Sequence, residues 1–574
     1  MESADGNLVV VFNGEIYNHQ EIREGIGYKY PFGSNSDTET ILAGYQIYGT
    51  DIFAKLNGIF TIAIYKKSDK KLVIARDPFG VKPLYYYCKH DELFFSSEIK
   101  SFLKIPNWDR SLAYKALLNY LHFMYSPGDK TPFVNIKKFP PGHYSEINTA
   151  EPLNINFKKY YQIPFNGQRS GITEKVAIEQ VDSALTNAVK RQLLSDVPVG
   201  FFLSGGLDSS LIVAKAKEIS GKDIQCFTIA NDSTKMNREG FSNDLDYARS
   251  VARHLNVNLN EVGGEINIVN EFDNMIWHLD EPQADIAPMH ILNICTKAKE
   301  FGYKVLLSGA GGDDLFSGYR RHQALNWEPF FNYTPTFFMQ SVQYFSSMLP
   351  NNYSTLRRIK KILRNATKTP LERMVGYHEW LPLKLNLGLF SDEINFNFGD
   401  YNPSKILIDS LREIPNESDV LNQMLYWEMK YFLTDHNLNY TDKLSMATGV
   451  EVRVPYLDRD LVELSTNIDP SLKLKSSTTK YILKKVAKDY LPDEVIHRKK
   501  AGFGGPIREW IRKDLDEMIH EYLSPSKIKE RGIFNSDTVW HLINENKTGK
   551  IDASYNIWCL LAIESWMRQF IDNS

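Results

Sequence analysis

One stretch restricts the fold more than any other: Val197-Pro198-Val199-Gly200-Phe201-Phe202-Leu203-Ser204-Gly205-Gly206-Leu207-Asp208-Ser209-Ser210. An apolar run ends in a glycine-rich turn, and helical spacing takes over from Leu211. That order belongs to a parallel sheet covered by helices. The two glycines let the backbone approach an anion closely. The hydroxyls of Ser204, Ser209 and Ser210 add to the free N–H groups of a helix start as phosphate donors. Asp208 would repel a bare phosphate, so it implies a hard cation bridging carboxylate and phosphate, for which Mg²⁺ is the natural choice. The loop is not GxxxxGK[ST] and does not read as a Walker-type NTPase. A serine-capped helix after a tight turn explains two or three of these residues, but not six in this order.

A second turn of the same layout follows at Leu306-Leu307-Ser308-Gly309-Ala310-Gly311-Gly312-Asp313-Asp314-Leu315-Phe316. Asp313-Asp314, taken with Asp208, reads as a shared Mg²⁺ site. A helix at Thr173–Leu194 and a short buried strand at Val197–Leu203 lead into the first turn, and helix and strand signals then alternate to the second, with strands at Ile224–Ile229 and Val305–Leu307. Beyond Tyr319 the pattern is mostly helical. Before residue 153 the chain is rich in strand signals: Leu8–Phe12, Gly58–Tyr65, Lys71–Ala75, Leu84–Cys88 and Glu92–Ser96. The first of these reads as a strand buried on both faces and ended by the turn pair Asn13-Gly14, with nothing N-terminal to neighbour it. One helix spans Asp37–Tyr48, with Ser36 or Asp37 as N-cap and Glu39 in its first turn. A helical stretch from Ser111 leads to Pro140-Pro141-Gly142-His143. The expected organisation is an N-terminal domain over 1–152, a linker over 153–172 and an α/β domain over 173–574.

At 574 residues the chain is too long for one core. A net charge of −3 and the absence of a long basic run argue against a nucleic-acid or membrane partner. The aromatic cluster from Trp327 to Phe345 reads as a helical hairpin packing into the core, with a hydrophobic lid as the other reading. Cys88, Cys226, Cys295 and Cys559 are scattered and form no CxxC pair, as expected of buried thiols in a reducing compartment. No apolar run reaches the roughly 18 residues that span a bilayer. The expectation is a cytoplasmic protein that works on small molecules, with a homodimer as the assembly considered.

With both loops in place the chain resembles the glutamine-dependent asparagine synthetases. The resemblance is carried by Phe12-Asn13-Gly14-Glu15-Ile16-Tyr17-Asn18, Ser36-Asp37-Thr38-Glu39, Leu56-Asn57-Gly58-Ile59-Phe60 and Ala75-Arg76-Asp77-Pro78-Phe79-Gly80-Val81-Lys82-Pro83-Leu84-Tyr85. It continues through Phe95-Ser96-Ser97-Glu98-Ile99-Lys100, Ser445-Met446-Ala447, Glu451-Val452-Arg453-Val454-Pro455-Tyr456-Leu457-Asp458 and Arg498-Lys499-Lys500-Ala501-Gly502-Phe503. Ser-Gly-Gly-x-Asp-Ser is also the signature of the ATP pyrophosphatases. The resemblance implies an αββα glutaminase domain of the N-terminal-nucleophile type, followed by an ATP-pyrophosphatase domain with a helical C-terminal part. It implies ATP and Mg²⁺ as cofactors and an acyl-adenylate on the way to the amide. Leu203, Ser204, Gly205, Gly206, Asp208, Ser209, Ser210, Thr228, Ile229, Ser308 and Gly309 would hold ATP or pyrophosphate, with Asp208 and Asp313 on the metal. Lys480 would stabilise charge as the acyl-adenylate forms and collapses. Asn13 and Gly14 would form an oxyanion hole, and Glu15 and Asp37 would hold the glutamine amide and amine.

Two departures bear on activity. Ala310 stands where the family usually carries Asp or Glu, which opens the alternative of a sugar uronic acid as acceptor. Arg320-Arg321-His322 would then suit a phosphorylated substrate, or simply form an exposed basic turn. The family's nucleophile is a cysteine at the first residue, whereas residue 1 here is Met and the first cysteine is Cys88. The expectation is therefore ammonia-dependent amidation without glutamine hydrolysis, from a late-assigned start or a truncated chain, with true loss of the nucleophile as the other reading. A non-catalytic binding relative is the alternative from another class.

Overall fold

A computed structural model describes residues 1–572, apart from 90, 222, 231–243, 264–266, 350–353 and 499–503. The N-terminal part is built in four layers. Strands β1 (Leu8–Ile16), β2 (Gly58–Lys66), β3 (Lys71–Arg76), β7 (His143–Asn148) and β8 (Phe157–Lys159) form an antiparallel sheet in the order β1-β2-β3-β7-β8. A smaller antiparallel sheet, ordered β5-β4-β6, contains β4 (Tyr85–Lys89), β5 (Glu92–Ser96) and β6 (Ile136–Lys138). Ala63, Ile74, Leu84, Phe139 and Ile147 fill the space between the two sheets. The helices His19–Ile26 and Asp37–Tyr48 cover the outer face of the first sheet, and Tyr114–Phe123 packs behind the second. This is the αββα arrangement expected, and Ser36 is the N-cap, accepting from the Thr38 N–H.

The first strand departs from its reading in two ways. It does not stop at Asn13-Gly14, because nine consecutive residues stay in register with β2, from Leu8 opposite Lys66 to Ile16 opposite Gly58. A continuous ladder outweighs the local turn preference of the pair. Nor is the strand buried on both faces: Val10 is buried while Val11 is 67% exposed, because successive side chains point to opposite faces and one of them is open to solvent here. Its outer edge has a neighbour after all. The Met1 amino group donates to the Val10 carbonyl at 2.9 Å, and the Val10 N–H donates to the Met1 carbonyl at 2.8 Å. The helix from Ser111 is also shorter than expected. It ends at Phe123, where Met124 turns left-handed (φ 74°) ahead of Pro127-Gly128.

The second sheet system is wholly parallel, ordered β11-β10-β9-β12-β13, with β9 at Val199–Phe202, β10 at Gln225–Ala230, β11 at Asn258–Gly263, β12 at Val305–Leu307 and β13 at Glu451–Arg453. The helices Glu174–Gln192, Leu207–Ser220 and Ala287–Glu300 are among those around it. Thr173 caps the first of them by accepting from the Val176 N–H. Two large apolar clusters draw on both parts of the chain. One joins Tyr85 and Leu117 to Trp558 and Trp566; the other joins Tyr17 and Ile59 to Phe201 and Leu307.

The aromatic stretch is helical, in Glu328–Tyr333 and Thr336–Ser347, but it does not pack into the core. Tyr333 is 89% exposed, Phe337 73%, Phe345 66% and Tyr344 62%. Among the described apolar residues of these two helices, Phe331 and Met339 are the buried ones, packed with Ala366, Ile362 and Leu363. The hairpin satisfies its small interior by itself and leaves the remaining rings outward.

Candidate active site

β9 and β12 are neighbours in register (Val199 opposite Val305), so both glycine-rich turns leave the same end of the parallel sheet side by side. Ligands of open parallel sheets sit outside the carboxyl ends of their strands. The first turn is held by its own serines. The Ser204 and Ser209 hydroxyls lie 3.1 Å apart, the Ser204 N–H donates to Ser209 Oγ at 3.3 Å, and the Gly206 N–H donates to Ser204 Oγ at 3.3 Å. Asp208 then falls in the first turn of the helix Leu207–Ser220, and Asp313 and Asp314 in the first turn of Gly312–Phe316. A Cβ on Gly312 would come within 2.7 Å of the Asp208 carboxyl carbon, so only glycine lets the second turn close onto the first.

Lys480 arrives from a third segment. It adopts a left-handed conformation (φ 53°) just before the helix Tyr481–Val486, a strained geometry for a residue with a side chain. Its ammonium bridges the two turns, pairing with Asp208 and lying 2.5 Å from Asp313 Oδ1. Burial alone would drive the proton off. Asp208 and then Asp313 outweigh it, and the pKa is pushed up to about 12, so the group stays cationic. Asp314 does not join this cluster, contrary to its expected share in the metal site. Its carboxylate accepts from the Tyr319 hydroxyl at 3.1 and 3.2 Å. Burial, then the charges of Glu428 and Asp313, raise its pKa to about 8. Arg321 and His322 are not an exposed turn either: both bind the buried Glu428, the imidazole at 2.7 Å. Their charge outweighs burial and holds Glu428 down at about 2.

These groups line a cavity of about 870 Å³, walled by both turns, Ala310, Lys480 and the cations Arg320, Arg358, Lys361 and Arg498. Such a volume is at the upper end for small-molecule sites. The Lys361 pKa is depressed to about 7 by burial, then by Arg364 and Arg321. Ser204, Gly206, Asp208, Ser209, Ser308, Gly309 and Asp313 all reach the wall, whereas Leu203, Gly205, Ser210, Thr228 and Ile229 lie beside or behind it. Arg498 donates to the Ser204 carbonyl at 3.2 Å; the rest of its motif, 499–503, lies outside the described residues. Sequence reasoning missed Arg358 and Lys361, whose signal is the Arg-Arg-Ile-Lys-Lys run. It also missed Asn437, which the π-helix Glu428–Leu438 turns into the cavity without any periodicity to betray it.

Among the described residues no group of three or more His, Cys, Asp or Glu side chains could hold a metal by itself. Asp208 and Asp313 nevertheless offer hard oxygen donors beside the serine turn, both turned in this structure to the Lys480 ammonium, which would share them with the ion. Two carboxylates completed by phosphate oxygens suit Mg²⁺, which keeps few protein ligands. The residues fit the ion.

The second expected site lies along β1. Asn13 Nδ2 donates to Ser97 Oγ at 3.1 Å, and Asp37 accepts from the Ile16 N–H at 3.1 Å. Glu15 pairs with Arg453 of β13 at 3.2 Å. Burial raises the Glu15 pKa to about 7; Arg453 opposes the rise and Asp37 adds to it. Asn13, Gly14, Glu15 and Asp37 are thus brought to one end of the strand. The four cysteines form no disulfide, and burial raises every one of their thiol pKa values.

Comparison with known proteins identifies the family. The asparagine synthase family matches residues 180–568, and a glutamine amidotransferase domain matches residues 1–161. The chain is 33% identical to asparagine synthetase [glutamine-hydrolyzing] 1 of Bacillus subtilis, over 98% of this chain and 85% of that protein. It is 29% identical to asparagine synthetase [glutamine-hydrolyzing] 2 of the same organism, over 91% and 67%. It is 27% identical to amidase chyE of Penicillium rubens, over 92% and 81%. None of these relatives is named for a uronic acid, and that alternative finds no support; the reading as a non-catalytic relative gives way as well. Matched by that family's model over residues 180–568 and 33% identical to one of its named members over 98% of this chain, the protein belongs to the asparagine synthase family.

Proposed function

We propose that this protein amidates aspartate at the cavity between the two turns, using ATP and ammonia. The observation that carries the reading is Lys480, fixed between Asp208 and Asp313 at the serine turn. A carboxylate oxygen of the acceptor attacks the α-phosphorus of ATP, the bond to the bridging oxygen breaks, and pyrophosphate leaves into the turn. Ammonia then adds to the acyl carbon and loses a proton, and AMP departs with the former carboxylate oxygen. Lys480 meets the negative charge that grows at each step from a buried position, where a preorganised cation is worth most. Leu203, Thr228 and Ile229, beside the turn, would flank the adenine. Asp208 and Asp313 would hold Mg²⁺, which would neutralise phosphate charge. Arg320, Arg358 and Lys361 supply cations for the second carboxylate of a dicarboxylic acceptor. Ala310 supplies no acid or base, so specificity rests on those cations. Ammonia is the preferred donor because no thiol of the chain is activated: burial raises all four. The same four thiols fit a reducing compartment such as the cytoplasm.

Pyrophosphate release with Mg-ATP tests this directly. Aspartate with ammonia supports turnover, glutamine in place of ammonia supports far less, and Lys480→Met lowers kcat by about 10²–10³. Turnover that ignores aspartate, or a Lys480→Met variant that retains full activity, overturns the reading.

A further inference from the structure

The cavity has to seat ammonia as well as ATP and the acceptor, and its wall serves that need at few places. Ammonia offers N–H donors and a single lone pair, and the lone pair must stay free for the acyl carbon. It is therefore held by acceptors. Arg320, Arg358, Lys361, Arg498 and Lys480 on the wall are donors only and cannot hold it in that way. Asp208, Asp244, Asp285, Asp313 and Asp314 are the carboxylates that reach the same wall. Most of them are answered directly. Asp208 and Asp313 pair with Lys480, and Asp244 pairs with Arg498. Asp285 lies 3.6 Å from the His436 imidazole and accepts from the Ile286 N–H at 2.6 Å.

Asp314 has partners of another kind. Its two oxygens share the Tyr319 hydroxyl at 3.2 and 3.1 Å, and the cation that acts on it, Arg321, is paired with Glu428. One hydroxyl leaves most of a carboxyl's acceptor capacity open, in either protonation state. The hydroxyl itself is fixed. The Tyr319 ring lies under the Arg321 guanidinium at 4.1 Å and edge-on to Phe432 at 5.6 Å, and Asn437 Nδ2 donates to its oxygen at 3.3 Å. Arg321, Phe432 and Asn437 line the cavity with it. Asp313, the preceding residue, meets Lys480, so Asp314 stands one position from the charged centre of the site.

We infer that Asp314, oriented by Tyr319, is the seat of the ammonia that attacks the acyl carbon. Its carboxyl accepts an N–H and leaves the lone pair of the nitrogen free. Tyr319 is a positioning residue that acts through Asp314. The inference rests on the amidation reading above and adds to it the place of the nitrogen donor.

Two measurements on the full chain separate donor from acceptor. Exchange of labelled pyrophosphate into ATP, with aspartate and no ammonia, reads adenylation; pyrophosphate release against ammonia concentration reads the donor. Asp314→Ala is expected to go on exchanging label while its KM for ammonia rises about ten- to a hundredfold, with KM for aspartate and ATP within about twofold of the parent. Tyr319→Phe keeps the ring, loses the hydroxyl and raises KM for ammonia about three- to tenfold in the same pattern. This second variant carries the test if the first does not fold. An unmoved KM for ammonia in a folded variant overturns the proposal. So does a KM for aspartate or ATP that rises in step with it, or loss of exchange in a variant that unfolds in urea like the parent. The parent protein keeps the two readings apart: no exchange with aspartate removes aspartate as the acceptor, whereas intact exchange with unaltered ammonia dependence in the variants removes Asp314 as the seat.

Discussion

At the scale of single residues, the chemistry of the site is set by which carboxylate meets which cation. Asp208, Asp313 and Asp314 look alike in the sequence, and the serine and glycine motifs around them were legible. Their division of labour was not. Asp313 faces Lys480, while Asp314 turns to the Tyr319 hydroxyl and is held near a pKa of about 8 by burial and by Glu428. Lys480 comes from a loop nearly three hundred residues beyond Asp208, and only the fold closes that gap. Asp314 gives a pH prediction whose sign follows from its raised folded-state pKa. An unfolded Asp titrates near 3.9, so the folded state binds the proton more tightly. The stability this contributes is complete below about pH 4 and is lost as pH rises through about 8. Asp314→Asn, which stays neutral, is expected to lose less stability than the parent between pH 5 and 9, measured by urea unfolding. An unchanged pH slope would show that Asp314 ionises normally.

At the scale of elements, β1 shows how a ladder overrides local preference. Its strand character was readable from Leu8–Phe12, but the run through Asn13-Gly14 depends on pairing with β2, which no local pattern announces. Gly14 has a φ of 148°, and a Cβ there would collide with the Ile59 carbonyl of β2. Gly14→Ala should therefore cost about 1–3 kcal/mol, read as a lower denaturation midpoint. Gly25→Ala, in a helix with open space around it, should instead stabilise by about 0.5–1 kcal/mol. Equal effects of the two substitutions would remove the steric account. The aromatic hairpin teaches the converse: its helices were legible from composition, while burial was not. Whether a ring faces a core or solvent depends on what the rest of the chain places against it.

At the scale of the whole molecule, the two parts of the chain are joined through buried charge. Arg453, on β13, pairs with Glu451 at 2.8 Å and with Glu15 of β1 at 3.2 Å, and donates to the Gln192 carbonyl at 2.9 Å. Lys82 binds Asp442 at 2.8 Å, and Asn57 donates to Asp458 at 2.9 Å. Removing one partner of a buried network leaves the others charged and unanswered. Arg453→Met is expected to destabilise by about 3–5 kcal/mol, seen as a lower midpoint in urea. A loss below about 1 kcal/mol would mean that the link is ornamental. The motif containing Arg453 was visible in the sequence, but its role as a tie was not. By itself the sequence determined the parallel sheet, the serine turn and the family, because strand–turn–helix order and phosphate-binding chemistry are local and leave a local mark. Only the tertiary structure decided that Lys480 lies between two carboxylates, that Glu15 answers to Arg453 and that the aromatic hairpin faces outward. Those depend on distances closed across hundreds of residues, where burial and charge, rather than spacing, choose the partner.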